Sequence, residues 1–211
     1  MRQRWQTAAR RAREPETTAR ARSSHVRRYG DHMVDHAKQV LGRRHVLEGF
    51  RWIDGDADTW TMLRDADALR AIVKALADLL ADQELDVIVG IEARGFALGP
   101  AVAFALGIGF SPIRKDGAVF PGDVIRHRSE PDYRGRTQAL GSRRDHFAPG
   151  QRAGLVDDWI ETGSQALAVQ RLIADAGAEL VAVAVIVDEA AADARVALPP
   201  IRSIVTAADL P

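Results

Sequence analysis

The chain has 211 residues, of which 46% are hydrophobic, and its 29 basic and 29 acidic residues give a formal net charge of +0. That length is sufficient for one sizeable hydrophobic core. Because the chain contains no cysteine, disulfide frameworks, cysteine-ligated metal centres and thiol nucleophiles are excluded. The longest apolar run, residues 180–187, is far too short for a membrane-spanning helix. We therefore expect a cytoplasmic protein without membrane contact.

The first 31 residues form a basic segment. Residues 1–30 contain nine arginines and two glutamates, a net charge of +7. This segment has too few large apolar side chains to offset its ordering entropy, which predicts a flexible tail over residues 1–31. A basic tail can contact nucleic acid through phosphate groups. It is also typical of a merely solvated extension, and both interpretations stay open.

Two helices are predicted before the first long apolar run. Apolar residues recur at helical spacing over residues 32–48, which indicates a modest amphipathic helix. Residues 67–82 predict a stronger helix, for which Asp67 is the expected N-terminal cap.

The rest of the chain alternates short apolar runs with helical segments. The predicted strands are residues 87–91, 108–113, 154–156, 180–187 and 201–205. Strands that are apolar on both faces and linked by helices indicate a parallel sheet covered on both sides. We therefore expect an α/β fold with a mostly parallel five-stranded sheet flanked by helices. Residues 116–148, which are rich in Gly, Pro, Arg, Asp and Ser, predict a flexible loop over a site.

One strand is followed by a group of polar residues with a clear chemical use. Asp157 and Asp158 are adjacent carboxylates, which can accept hydrogen bonds from the vicinal hydroxyls of a sugar. Thr162, Gly163, Ser164 and Gln165 follow at the start of a helix, where backbone N–H groups and the helix dipole favour a phosphate. A simple helix cap is the alternative, but a cap needs one carboxylate.

This segment resembles the signature of type I phosphoribosyltransferases. Residues 89–96 (VGIEARGF) and 110–115 (FSPIRK) further resemble the adenine phosphoribosyltransferases, and the resemblance extends from about residue 50 to residue 205. It implies the type I phosphoribosyltransferase fold over residues 32–211, with a small hood from residues 32–62 and 188–200.

The resemblance also implies a reaction and its ligands. The family transfers the 5-phosphoribosyl group of 5-phosphoribosyl 1-pyrophosphate (PRPP) to a purine-type base, forming a nucleoside 5′-monophosphate and pyrophosphate. It implies that the loop with Arg94 and Gly95 binds pyrophosphate and that Arg114 and Lys115 add positive charge next to this loop. It also implies that the enzyme is a homodimer. The cofactor would be Mg²⁺, bound through PRPP, with Asp157 and Asp158 as candidate protein ligands.

Two glutamates are candidates for acid–base catalysis. Glu161 stands where the adenine enzymes have a small residue, and the 6-oxopurine enzymes place there an acid that exchanges a proton with the base. It is therefore a candidate both for catalysis and for PRPP binding, with a carboxylate favoured by the helix dipole as the equal alternative. Glu130 lies in a stretch only loosely similar to the lid of the adenine family, and a solvated loop residue is its alternative.

The base-binding candidates are Phe50, Trp159 and Ile160, because aromatic and apolar faces hold flat heterocycles. For Trp159, a packing residue at a strand end is the alternative, and it is slightly favoured. The aromatic hood sequence does not identify the base. Two other functions stay open: a regulator of the same fold that binds PRPP or nucleotides and contacts nucleic acid, and an enzyme acting on a non-standard heterocycle.

Overall fold

The computed structural model describes residues 30–117, 121–132 and 134–211. Its helices within these ranges are α1 (Gly30–Gly49), α2 (Ala66–Leu80), α3 (Arg94–Leu106), α4 (Ser164–Asp175) and α5 (Ala192–Ala197). Its strands there are β1 (Arg51–Ile53), β2 (Asp56–Asp58), β3 (Val87–Ile91), β4 (Gly109–Lys115), β5 (Val124–Arg128), β6 (Ala139–Arg143), β7 (Arg152–Ile160), β8 (Glu179–Asp188) and β9 (Ile201–Thr206). The predicted tail lies outside the described residues except for its last two positions, which begin α1.

The central sheet has seven strands in the order β5-β6-β4-β3-β7-β8-β9. The run from β4 to β9 is parallel, whereas β6 pairs antiparallel with both β4 and β5. The mostly parallel α/β fold is therefore confirmed, but the strand number of five is wrong. The two extra strands lie within residues 116–148, where Arg126 and Gly141 interrupt the apolar pattern that would have revealed them.

Apolar side chains cover both faces of the sheet. One cluster joins Leu155 of β7 to α4, and the other joins Val156 of β7 to α2 and α3. Neighbouring residues of a strand point to opposite faces, so β7 contributes to both clusters. The result is three layers, helices on sheet on helices.

Helix α2 begins at Ala66, one residue earlier than predicted, and its cap lies two residues earlier than predicted. Asp65, in extended conformation, is the N-terminal cap, because its side chain accepts hydrogen bonds from the N–H groups of Asp67 and Ala68. Asp67 instead lies in the first turn, paired with Arg70. The cap must stand outside the helical backbone, which excludes Asp67.

Strands β1 and β2 form a hairpin that the sequence analysis did not predict. Asp54 and Gly55 connect them with φ values of 52° and 85°. Two successive residues with positive φ make the type I′ turn that the dipeptide Asp-Gly favours. No helix within the described residues has the length and apolarity needed to cross a membrane.

Candidate active site

A cavity of about 560 Å³ opens at the carboxyl ends of β3, β4 and β7. This is where open parallel sheets bind their ligands. The predicted site residues that line it are Arg94, Lys115, Asp157, Asp158, Trp159, Ile160, Glu161, Thr162, Gly163, Ser164 and Gln165. Four of the predicted site residues, Phe50, Gly95, Arg114 and Glu130, are not among its lining.

The two adjacent aspartates have different surroundings. Strand β7 continues through both, to Ile160, so their side chains leave opposite faces of the sheet. Asp157 lines the cavity beside Leu155 and Val185. Asp158 is buried and accepts hydrogen bonds from Thr59 Oγ1 at 2.5 Å and Arg94 Nη1 at 2.7 Å. Both aspartates therefore line the cavity, but Asp158 is also bound to Arg94.

The carboxyl of Asp157 holds its proton more tightly than an ordinary aspartate does. Burial, followed by the negative charge of Asp158, raises the pKa of Asp157 well above its ordinary value. The N–H group of Asp158, which donates to Asp157 Oδ1 at 2.9 Å, opposes that rise. A cation or a hydrogen-bond donor in the cavity would favour the ionised form.

The start of α4 has the backbone geometry that the sequence analysis expects of a phosphate site. Gly163 precedes the helix with φ of 75°, and Thr162 Oγ1 accepts from the N–H of Ser164 at 3.3 Å. The first N–H groups of a helix have no acceptor within the helix, and residues 162–166 all line the cavity. This arrangement suits a phosphate group.

Gly163 is required at this turn for two reasons. Its positive φ disfavours any residue with a Cβ. A Cβ there would also lie 2.5 Å from the Cβ of Ala194 in α5. Helix α5, in the second predicted hood segment, therefore packs behind this turn, and no residue of 188–200 is among the cavity lining.

The loop after β3 brings Arg94 to the cavity. The Glu92–Ala93 peptide bond in this loop is cis. Gly95 packs behind the loop, since a Cβ on it would lie 2.9 Å from the Cα of Gly90 and 3.0 Å from the carbonyl oxygen of Val156. The absence of a side chain at Gly95 therefore allows close backbone packing, and this position does not face the cavity.

The side chains of Arg114 and Lys115 point to opposite faces of the sheet, because neighbouring residues of strand β4 alternate between its faces. Lys115 lines the cavity, whereas Arg114 lies outside it and contacts Glu92 at 3.4 Å. The side-chain hydrogen bond from Arg114 holds the pKa of Glu92 below its ordinary value, despite partial burial.

Glu161 lies at the cavity among other charged groups. Partial burial raises its pKa, and the charges of Glu189 and Asp132 raise it further, while Arg134 lowers it. A carboxyl with a raised pKa is suited to proton exchange near neutral pH.

The connection between β5 and β6 contributes Asp132 to the cavity lining, and Glu130 is not among that lining. The Glu130 side chain is 68% exposed and lies 3.7 Å from Arg171, whereas Asp132 and Arg134 line the cavity. Asp132 Oδ1 also accepts from the N–H groups of Arg134 and Arg136, which fixes the turn between β5 and β6. The Asp-x-x-Gly spacing at 132–135 signals such a turn, and the sequence analysis did not use it.

Three aromatic side chains form a cluster at the hood. The ring of Trp159 lies 6.1 Å from the rings of both Phe50 and Trp52, and its Nε1 donates to Glu189 at 3.1 Å. Trp159 lines the cavity, but Phe50 is fully buried. Phe50 therefore supports Trp159 from behind.

The lid and the hood hairpin meet across the cavity. Arg134, in the turn between β5 and β6, pairs with Asp56 of β2. Both residues line the cavity, so this ion pair spans its edge.

Comparisons with known proteins agree with this geometry. The phosphoribosyl transferase domain family model matches residues 59–204. The adenine phosphoribosyltransferase of Alkaliphilus metalliredigens is 41% identical over 126 residues, which is 60% of this chain and 72% of the relative.

Two solved adenine phosphoribosyltransferases have the same fold. The enzyme of Thermoanaerobacter pseudethanolicus superposes with a TM-score of 0.71 at 28% identity, over 78% of this chain and 99% of that one. The enzyme of Rhodothermus marinus gives 0.69 at 29% identity, over 79% and 99%. The sequence-based prediction is confirmed: this chain belongs to the phosphoribosyltransferase family and is an adenine phosphoribosyltransferase-like pentosyltransferase.

Proposed function

We propose that the cavity transfers the 5-phosphoribosyl group of PRPP to a purine base, with adenine as the leading acceptor. One observation carries this proposal. The same cavity joins the start of α4, the carboxylate of Asp157 and the cationic side chains of Arg94 and Lys115. These groups match, in turn, a phosphate, a sugar diol and a pyrophosphate. The relatives named adenine phosphoribosyltransferase support adenine.

The donor would lie along this series of groups. Backbone N–H groups of residues 162–165 hold the 5′-phosphate, and Asp157 accepts hydrogen bonds from the ribose hydroxyls. Arg94 and Lys115 neutralise the leaving pyrophosphate. Asp158 is then a positioning residue, because it binds one Arg94 nitrogen, Nη1, and leaves the rest of the guanidinium for the pyrophosphate.

Mg²⁺ fits this cavity as a partner of the donor. Within the described ranges, no group of three or more side chains could hold a metal ion. Mg²⁺ bound mainly by substrate oxygens and water needs few protein ligands, and Asp157 is the carboxylate placed to provide one. Its chemistry would be to neutralise charge on the pyrophosphate.

Glu161 is the proposed acid–base residue. A purine loses its imidazole proton as its nitrogen bonds to C1′ of the ribose, and a carboxylate with a raised pKa is a suitable acceptor. Asp132 lies close enough to influence the pKa of Glu161. It is the lid carboxylate best placed to assist, in the role first assigned to Glu130.

Trp159 and Ile160 would hold the purine ring, with Phe50 behind Trp159. The connection between β5 and β6 would act as a lid that excludes water, which otherwise hydrolyses the donor. The ion pair between Arg134 and Asp56 would hold this lid against the hood.

The cytoplasmic location stays a prediction.

A homodimer is the proposed assembly. Helix α3, which starts at the pyrophosphate loop, has an outer face of small apolar residues around Phe104, whose exposed fraction is 89%. An apolar helix face of this kind is typical of a protein interface. A second copy would cover it and lie beside the Arg94 loop.

The test is pyrophosphate release with PRPP, Mg²⁺ and single bases. We expect turnover with adenine and little with hypoxanthine or guanine. Turnover with none of the standard purines, but with another heterocycle, would replace adenine as the substrate. Binding of PRPP without pyrophosphate release from any base would instead identify a regulator.

A further inference from the structure

Thr59 has a buried hydroxyl group that the proposed reaction does not use. It follows strand β2 of the hood hairpin, and its exposed fraction is 1%. A buried hydroxyl is unfavourable unless its hydrogen bonds are made inside the protein. Its two partners, Asp158 and Arg94, both line the cavity, whereas Thr59 does not. Any effect of Thr59 on a ligand must therefore pass through these two residues.

The three side chains form a closed set of hydrogen bonds. Thr59 Oγ1 donates to Asp158 Oδ2 at 2.5 Å and accepts from Arg94 Nη1 at 3.2 Å. Arg94 Nη1 also donates to the same Asp158 oxygen at 2.7 Å. A guanidinium can only donate, whereas a hydroxyl has one proton and can also accept. The proton of Thr59 is therefore directed to Asp158, and its lone pairs are left for Arg94.

The second acceptor restricts the guanidinium of Arg94. The Arg94 side chain is 42% exposed, so packing alone does not hold it. A single acceptor on Nη1 would allow the planar guanidinium to rotate about that hydrogen bond. Two acceptors on the same nitrogen, the Asp158 oxygen and the Thr59 oxygen, limit this rotation. They therefore determine where the other N–H groups of Arg94 point.

The backbone around Thr59 is fixed by the residue before it. Asp58, the last residue of β2, accepts hydrogen bonds through Oδ1 from the N–H groups of Trp60 and Thr61 at 2.9 and 3.0 Å. The Thr59 hydroxyl is thus held in place by the hood hairpin. It links that hairpin to Arg94, which lies 35 residues later in the chain.

We propose that Thr59 is a positioning residue for pyrophosphate, because its hydroxyl orients the guanidinium of Arg94 towards the leaving group. This inference rests on the proposed function, in which Arg94 binds pyrophosphate. Without the hydroxyl, Arg94 keeps its contact with Asp158 but loses the acceptor that limits its rotation. A charged group stabilises a leaving group best when it is already oriented before the reaction. Loss of the hydroxyl should therefore weaken the binding of pyrophosphate and PRPP and lower kcat.

The test compares three substitutions of Thr59 in the full chain. Thr59→Val replaces the hydroxyl with a methyl group, Thr59→Ala removes it without adding one, and Thr59→Ser keeps it. Isothermal titration calorimetry with pyrophosphate and Mg²⁺ measures binding, and initial rates with PRPP and adenine give KM and kcat. We expect the Kd of pyrophosphate and the KM of PRPP to rise about tenfold in Thr59→Val and Thr59→Ala. The KM of adenine should not change, and Thr59→Ser should restore most of the loss.

Thr61→Val is the matched control. Thr61 lies in the same segment, and its hydroxyl hydrogen-bonds to Asp58 rather than to Asp158. If Thr61→Val weakens pyrophosphate binding as much as Thr59→Val does, the effect is a general loosening of the hood and the proposal is wrong. Wild-type affinity for pyrophosphate in both Thr59→Val and Thr59→Ala would also overturn it. If the wild-type protein itself binds no pyrophosphate, the proposed function fails, and this inference fails with it.

Discussion

At the scale of single residues, the neighbouring carboxylates of β7 differ in what they do. Both line the cavity, but Asp157 carries a raised pKa, whereas Asp158 is buried in an ion pair with Arg94. Identical isosteric substitutions at the two positions should therefore have different effects on the free energy of unfolding.

Asp157→Asn should lower activity on the order of 100-fold, by analogy with the loss of one preorganised transition-state contact, and should not lower stability. A carboxyl whose pKa rises on folding costs stability once the pH exceeds its unfolded pKa. Removing it should stabilise the protein at neutral pH, and the gain should vanish at a pH well below the ordinary carboxyl pKa. Urea unfolding at both pH values measures this.

Asp158→Asn is the comparison. It leaves the Arg94 guanidinium without its carboxylate, and we expect a loss of about 1–3 kcal/mol in unfolding free energy. A weaker affinity for pyrophosphate should accompany it. Equal destabilisation by the two substitutions would contradict the different surroundings of the two aspartates.

The pH dependence of turnover should report Glu161. If Glu161 must be ionised to accept the purine proton, the acidic limb of the kcat profile should lie above the ordinary carboxyl pKa, because burial and Glu189 raise the pKa of Glu161. Glu161→Gln should remove that limb and lower kcat roughly 100-fold or more. Glu189→Gln should shift the limb to lower pH, since Gln keeps the acceptor for Trp159 without the charge. A limb that persists in Glu161→Gln would assign proton transfer to another group.

At the scale of elements, we expect the turn before α4 to decide phosphate binding. Gly163→Ala combines a positive φ with a clash against Ala194. We expect a cost of about 1–3 kcal/mol and a marked loss of PRPP affinity. Gly150→Ala is the matched control, because its φ is 74° and nothing lies within 4 Å of its Cβ position. It should cost stability alone, and equal PRPP affinities in the two variants would contradict the proposed phosphate turn.

The elements also show what the sequence could predict. The parallel strands and the helix start at 164 follow from apolar runs and turn residues. The predicted strand at 154–156 was too short, and its extension to Ile160 is what separates the side chains of Asp157 and Asp158. Alternation along β4 likewise divides Arg114 from Lys115. Which face each side chain occupies depends on how far the strand extends. A run of apolar residues does not show the end of a strand when its last residues are polar.

Other residues were beyond local patterns altogether. Asp132 reaches the cavity only because β5 and β6 pair and carry their turn towards the hood. Thr59 contributes through a contact with Asp158, 99 residues later in the chain. The Asp-x-x-Gly spacing signals a turn at Asp132 but not its position at the cavity, and no local pattern signals the contact of Thr59, because both depend on tertiary packing.

At the scale of the whole molecule, α3 should carry the subunit contact. Phe104→Asp places a charge on its exposed apolar face, and we expect a shift from dimer to monomer in size-exclusion chromatography with light scattering. Val196→Asp is the control, because Val196 is equally exposed, at 89%, but lies on α5. A wild-type monomer, or a dimer unaffected by Phe104→Asp, would contradict this interface.

The central claim is that one cavity binds the activated ribose through Asp157 and the start of α4. Calorimetric titration of the full chain with PRPP and Mg²⁺ tests it most directly. The account predicts one PRPP bound per chain, with affinity at least tenfold lower in Asp157→Asn and in Gly163→Ala and unchanged in Gly150→Ala. No heat of binding with the wild-type protein, or equal affinity in all four proteins, would contradict it.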